Sequence, residues 1–165
     1  MKNRAVFFDR DGVINNNAEH YYVYKKDQLK LNPDIDRAIA AINKAGLMVI
    51  VVSNQGGISR GHYDTNHVDT LHNEIQRRLE LAHAQVDDFY FCPHHNKIEK
   101  CLCRKPGTLL IEKAAAAYDI DLSISFMIGD SDRDIEAGEK AGLQCYKVEA
   151  NTSVWPVITK ILDLI

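Results

Sequence analysis

Short apolar runs alternate along the chain with longer segments whose apolar residues recur every three or four positions. The first pattern marks buried strands and the second marks helices packed by one face, so the alternation predicts a parallel sheet joined by crossover helices. Ala5 to Phe8 reads as the first strand, closed by Asp9. Asp34 to Ala45 carries Ile35, Ala38, Ile39 and Ile42 at helical spacing and stops at Gly46. Met48 to Val52 is the second strand, and it gives way to Ser53-Asn54-Gln55-Gly56-Gly57. A helix is predicted over about Asn66 to Ala82, a strand over Asp88 to Phe91, a helix near Leu109 to Tyr118 and a strand over Ser125 to Ile128. Another helix follows Gly129-Asp130 and ends at Gly142; Cys145 to Val148 is the last strand and Val154 to Leu164 the last helix. No repeat, low-complexity tract or linker interrupts the series, so residues 1–165 are expected to form one domain.

Composition narrows the classes. Hydrophobic residues at 45% and charged residues at 26% are globular values. The net charge of -3, with no long block of Lys or Arg, argues against a nucleic-acid partner. No apolar run approaches the roughly 20 residues that cross a bilayer, and the apolar stretch before Asp9 is too short for a signal peptide. A cytoplasmic, monomeric protein acting on a small molecule, with no membrane partner, is the expectation.

Polar residues that follow strands carry the chemistry, because ligands of an open parallel sheet bind beyond the carboxyl ends of its strands. Asp9, Ser53 and Asp130 all fall there. In Asp9-Arg10-Asp11-Gly12, two carboxylates two positions apart repel unless a cation lies between them or one is protonated, and phosphoryl transfer uses both states. A solvated Asp-Gly turn is the plain alternative. Ser53, Asn54, Gln55 and Gly56 offer a hydroxyl and backbone N–H groups to phosphate oxygens, or are simply a polar turn. Lys105 supplies a fixed ammonium, and the Arg104 guanidinium suits a second phosphate or a sugar oxygen. Asp130 stands at a strand exit and can share a magnesium ion with Asp9, whereas Asp132 and Asp134 read equally well as helix-capping acids.

Three of the four cysteines, Cys92, Cys101 and Cys103, lie within twelve positions and next to His94 and His95. Cys92, His94, Cys101 and Cys103 make a Cys₃His set suited to tetrahedral zinc, with His95 as the alternative imidazole. Four protein ligands leave no open position, so the ion would be structural. Cys145, in a strand, reads as a core residue.

Taken in order, Asp9-x-Asp11-Gly12, Ser53, Lys105 and Gly129-Asp130-x-x-x-Asp134 resemble the four motifs of the haloacid-dehalogenase-like (HAD) phosphatase superfamily. The resemblance implies a Rossmann-like sheet with helices on both faces. It also implies Asp9 as nucleophile, Asp11 as general acid/base, and Ser53 and Lys105 as phosphoryl stabilisers. Magnesium would be held by Asp9, the Asp11 main-chain carbonyl and Asp130. The cysteine loop and Cys103-Arg104-Lys105-Pro106 are similar to the zinc-containing histidinol-phosphate and heptose-bisphosphate phosphatases, and Ile58-Ser59-Arg60-Gly61 resembles the heptose branch. That likeness implies a phosphorylated sugar as substrate, touched by Arg104 and by the segment holding Asn17, His20 and Tyr22. The chain departs from the heptose pattern there and at Ser131, where a Lys often stands. Only about forty residues separate Asp9 from Ser53, too few for a cap domain beside the predicted helix. Two other classes compete: a phospho-accepting receiver domain, whose phosphorylated Asp ordinarily follows a middle strand, and a zinc-based interaction module with incidental acidic turns.

Overall fold

The computed structural model describes residues 2–165. Five strands, β1 (Ala5–Phe8), β2 (Met48–Asn54), β3 (Asp88–Cys92), β4 (Phe126–Gly129) and β5 (Gln144–Lys147), form one sheet in the order β3-β2-β1-β4-β5. Every pairing is parallel. The helices α1 (Ile35–Lys44), α2 (Thr65–Glu80), α3 (Leu109–Ala117), α4 (Asp132–Ala141) and α5 (Trp155–Asp163) connect and close it.

Alternation along the strands sends side chains to two cores. Val6 and Phe8 of β1 join Val49 and Val51 of β2 and Ile128 of β4 on one face, packed against Ile39, Ile42, Leu71, Ile75 and Ile158 of α1, α2 and α5. Ala5, Phe7, Ile50, Val52 and Met127 point the other way, onto Leu110, Ile111, Ala114 and Ala137 of α3 and α4. Both faces of β1 are therefore buried, which explains its unbroken apolar sequence.

The expected elements are all present, with ends shifted by a residue or two. Strand β2 continues through Ser53 to Asn54, because its ladder with β3 extends to the pair Asn54–Cys92. Two short 3₁₀ turns, Lys26–Gln28 and Leu122–Ile124, left no apolar period to read. Between β1 and β2 lie only a loop, one of these turns and α1, so no cap is inserted there. No helix among the described residues is long and apolar enough to cross a membrane.

The winding of the sheet reverses between β1 and β4. From β1 the connections run outward to β2 and β3, while β4 and β5 lie on the other side. A crevice opens at such a switch point, beyond the carboxyl ends of the strands. Phe8 pairs with Ile128, and Asp9 N–H donates to the Ile128 carbonyl at 3.0 Å, so the residues after β1 and β4 emerge side by side.

Candidate active site

A cavity of about 150 Å³ sits at this switch point, and Asp9, Asp11, Asn17, Tyr22, Arg104, Lys105 and Asp130 are among the residues lining it. Carboxylate oxygens of Asp9, Asp130 and Asp134 all lie within 4.8 Å of one another. Their approach depends on Gly12, whose φ is +89° and whose Cα faces Asp130 so closely that a Cβ would overlap the Asp130 carboxylate.

Lys105 is 1% exposed and its Nζ donates at 2.7 Å to Asp9 Oδ1, to the Val52 carbonyl and to Asp134 Oδ1. Burial opposes its charge, but the paired carboxylates of Asp9 and Asp134 outweigh it and raise its pKa. Asp134 is likewise held below the usual carboxylate range, against burial, by Lys105 and by the Ser131 N–H and hydroxyl. Asp9 is pushed well above that range by burial, with Asp134 and Asp11 adding repulsion that Lys105 only partly offsets. Three carboxylates thus face one ammonium. Oxygen donors with an excess of negative charge are what a magnesium ion requires, so the residues present fit that ion.

Asp11 is held from several sides. Its Oδ1 accepts from Arg10 Nη2 at 2.9 Å and from Asn15 Nδ2 at 3.0 Å, and its Oδ2 accepts from Gln55 Nε2 at 2.9 Å. Arg10 is fully buried and also donates to the Val23 carbonyl at 2.6 Å. Burial, and then the Arg10 charge, push the nearby His72 imidazole down to about 3, so it meets Arg10 Nη1 at 3.5 Å as a neutral acceptor.

The structure sorts the expected substrate contacts. Asn17, Tyr22, Asn54, Gly56 and Arg104 line the cavity, joined by Tyr21, His95 and Arg133. Asn54 also clasps the Lys105 backbone, accepting its N–H at 3.0 Å and donating to its carbonyl at 3.1 Å. Ser53 and Gln55 are each 1% exposed and lie behind the lining; Gln55 donates to Ser53 Oγ at 2.7 Å. His20 is exposed and outside the lining. Asp134, which reads both as a helix cap and as the last residue of the fourth motif, accepts from the Ser131 N–H with one oxygen and reaches Lys105 with the other.

Beside the cavity, ligand atoms of Cys92, His94, Cys101 and Cys103 gather within 4.8 Å. Cys92 Sγ is 3.4 Å from His94 Nδ1 and 3.6 Å from Cys101 Sγ, near the edges of a tetrahedron built on a Zn–S bond of about 2.3 Å. The Arg104 N–H points at Cys101 Sγ from 3.4 Å. Against burial, which raises it, that N–H and the neighbouring thiols bring the Cys101 thiol down to about 7. The cluster fits zinc, and it takes His94; His95 turns to the cavity instead.

Comparison with known proteins agrees with this arrangement. A family model described as HAD-hydrolase-like matches residues 102–153. The chain is 38% identical to the D-glycero-beta-D-manno-heptose-1,7-bisphosphate 7-phosphatase of Rhodopseudomonas palustris over 151 residues, 88% of this chain and 83% of that protein. It is 37% identical to the D-glycero-D-manno-heptose-1,7-bisphosphate 7-phosphatase of Thermosynechococcus vestitus, covering 92% of this chain and 81% of that one. The crystal structure of the D,D-heptose 1,7-bisphosphate phosphatase of B. bronchiseptica, complexed with magnesium and phosphate, superposes with a TM-score of 0.90 at 28% identity, over 98% of this chain and 99% of that one. With its sheet, its converging carboxylates and these relatives in agreement, the chain belongs to the D-glycero-D-manno-heptose-1,7-bisphosphate 7-phosphatase family of HAD-like phosphatases.

Proposed function

We propose that this protein hydrolyses one phosphate ester of a heptose 1,7-bisphosphate through an aspartyl-phosphate on Asp9. The observation that carries the reading is the meeting of Asp9 with Asp130 and Lys105 at the switch point of the sheet. A carboxylate oxygen of Asp9 attacks phosphorus, the bond from phosphorus to the sugar oxygen breaks, and Asp11 gives that oxygen its proton. Water then attacks the acyl phosphate, Asp11 takes its proton, and the bond from phosphorus to Asp9 breaks to release inorganic phosphate. Lys105 stabilises charge on the phosphoryl oxygens throughout, and the backbone at the end of β2, where Asn54 and Gly56 line the cavity, orients them. Asp9, Asp130 and the Asp11 carbonyl would hold a magnesium ion, which when bound supplies neutralisation of phosphate and nucleophile charge. Zinc on Cys92, His94, Cys101 and Cys103 would fix the loop that presents Arg104 and Lys105.

A bisphosphate suits the remaining cations. Arg104 and Arg133 line both this cavity and an adjoining one of about 330 Å³ that Lys100 also borders. The guanidinium of Arg133 brings positive charge to the edge where Ser131 offers none. Replacing Arg104 by Ala should raise KM for a heptose 1,7-bisphosphate roughly tenfold or more, while KM for the 7-monophosphate changes less than about threefold. An equal loss on both would remove Arg104 from second-phosphate binding.

Substrate choice is tested by comparing kcat/KM for both anomers of heptose 1,7-bisphosphate, histidinol phosphate and simple sugar phosphates. A preference for histidinol phosphate would overturn the heptose assignment. Gly12→Ala should leave the sheet folded but force Asp130 away from Asp9. The apparent magnesium requirement should then rise at least about tenfold, read from activity against metal concentration. An unchanged requirement would place the ion elsewhere.

A further inference from the structure

Gln55 is buried, and its amide is fully employed. Nε2 donates to Asp11 Oδ2 at 2.9 Å and to Ser53 Oγ at 2.7 Å, while Oε1 accepts from the Tyr63 hydroxyl at 2.6 Å. Asp11 Oδ2 can accept whether the carboxyl is ionised or carries its proton on the other oxygen, and the amide turns its nitrogen toward it. The oxygen then faces the protein interior and needs a donor there, which the Tyr63 hydroxyl provides. Tyr63 is itself fixed: 6% exposed, stacked on Tyr24 at 4.9 Å, and set against Gly57 where a Cβ would overlap its ring. Arg10 grips the same carboxylate by both oxygens. Gln55 and Tyr63 do not line the cavity, so neither group meets substrate through its side chain.

We infer that Tyr63 and Gln55 are positioning residues for Asp11, holding its carboxyl where the leaving oxygen needs a proton. This rests on the reading of Asp11 as general acid. Asp11 Oδ1 accepts from Arg10 and Asn15, whereas Oδ2 accepts only from Arg10 and Gln55, so the chain Tyr63–Gln55–Asp11 fixes the direction of that second oxygen. The consequence concerns esters whose alkoxide cannot depart unprotonated. An ester with a stable leaving anion does not call on the acid in the same step, so a misplaced Asp11 costs it little.

The test compares kcat/KM, which reports formation of the phosphoenzyme, for a heptose 1,7-bisphosphate and for p-nitrophenyl phosphate. Tyr63→Phe removes only the hydroxyl, and Gln55→Met is a second, near-isosteric cut of the same chain. Each should lower kcat/KM for the sugar ester roughly 10- to 100-fold and for p-nitrophenyl phosphate less than about threefold. Asp11→Asn should show the same contrast more strongly. Equal losses on both esters, or none on either, would overturn the proposal. If Asp11→Asn itself showed no contrast, the general-acid reading would fail and this inference with it. A contrast for Asp11→Asn but not for Tyr63→Phe or Gln55→Met would sink the inference alone.

Discussion

Asp9→Asn should fold, bind substrate and release no phosphate. The amide keeps the volume of the carboxylate, so the packing around Lys105 and β1 can persist while the attacking oxygen is gone. Loss of a covalent nucleophile takes away the reaction route itself, and a fall in kcat on the order of 10⁴-fold or more is expected. Two measurements separate this from a folding defect. Thermal melting should show a cooperative transition in both proteins. Rapid quench of the wild type with labelled substrate should trap a hydroxylamine-sensitive phosphoenzyme that the variant never forms. A variant that kept most of its turnover would refute the aspartyl-phosphate route. A protein that formed the phosphoenzyme but stopped near one phosphate per chain would instead behave as a receiver domain.

Loss of the Cys₃His ion should have the second largest effect. Purified protein should carry close to one zinc per chain, and Cys101→Ser or Cys103→Ser should lose it. Cys103 is followed directly by Arg104 and Lys105, and the Arg104 N–H donates to Cys101 Sγ. Without the ion, thiolates gathered within 4.8 Å repel or reprotonate, and the loop must open. Lys105 would lose the approach that sets its ammonium between Asp9 and Asp134. A loss of several kcal/mol is expected, a fall in Tm of roughly 10 °C or more, together with a drop in kcat. Demonstrated removal of the ion with unchanged melting and unchanged turnover would reduce the cluster to an incidental gathering of thiols.

Much of this was readable along the chain, for identifiable reasons. Strands buried on both faces announce themselves as unbroken apolar runs, as Ala5 to Phe8 does, and α1 shows its buried stripe at Ile35, Ala38, Ile39 and Ile42. The cysteine cluster was legible because zinc ligands crowd into one loop. Asp9 and Asp130 were legible because strand ends fix where a polar side chain emerges; Lys105, in the loop between β3 and α3, was legible only through its likeness to the third HAD motif. Polar networks behind the cavity left no such trace. Arg10, Asn15, Gln55, Tyr63 and His72 are buried and joined across distant segments, and no spacing in the sequence marks partners 44 or 62 positions apart. Asp134 shows the same limit from another side: one carboxylate oxygen satisfies the local capping rule, which hid the tertiary use of the other. His20 misled because its neighbours Asn17 and Tyr22 do face the cavity while its own side chain is exposed.

The connection from β1 to β2, a loop, one 3₁₀ turn and α1, carries no inserted cap over Asp9. Dry surroundings for the transferring group must then come from the reactant itself, whose sugar body plugs the entrance once its phosphate is seated. Truncated phosphate esters would dock correctly and still react sluggishly, since solvent would stream in behind them.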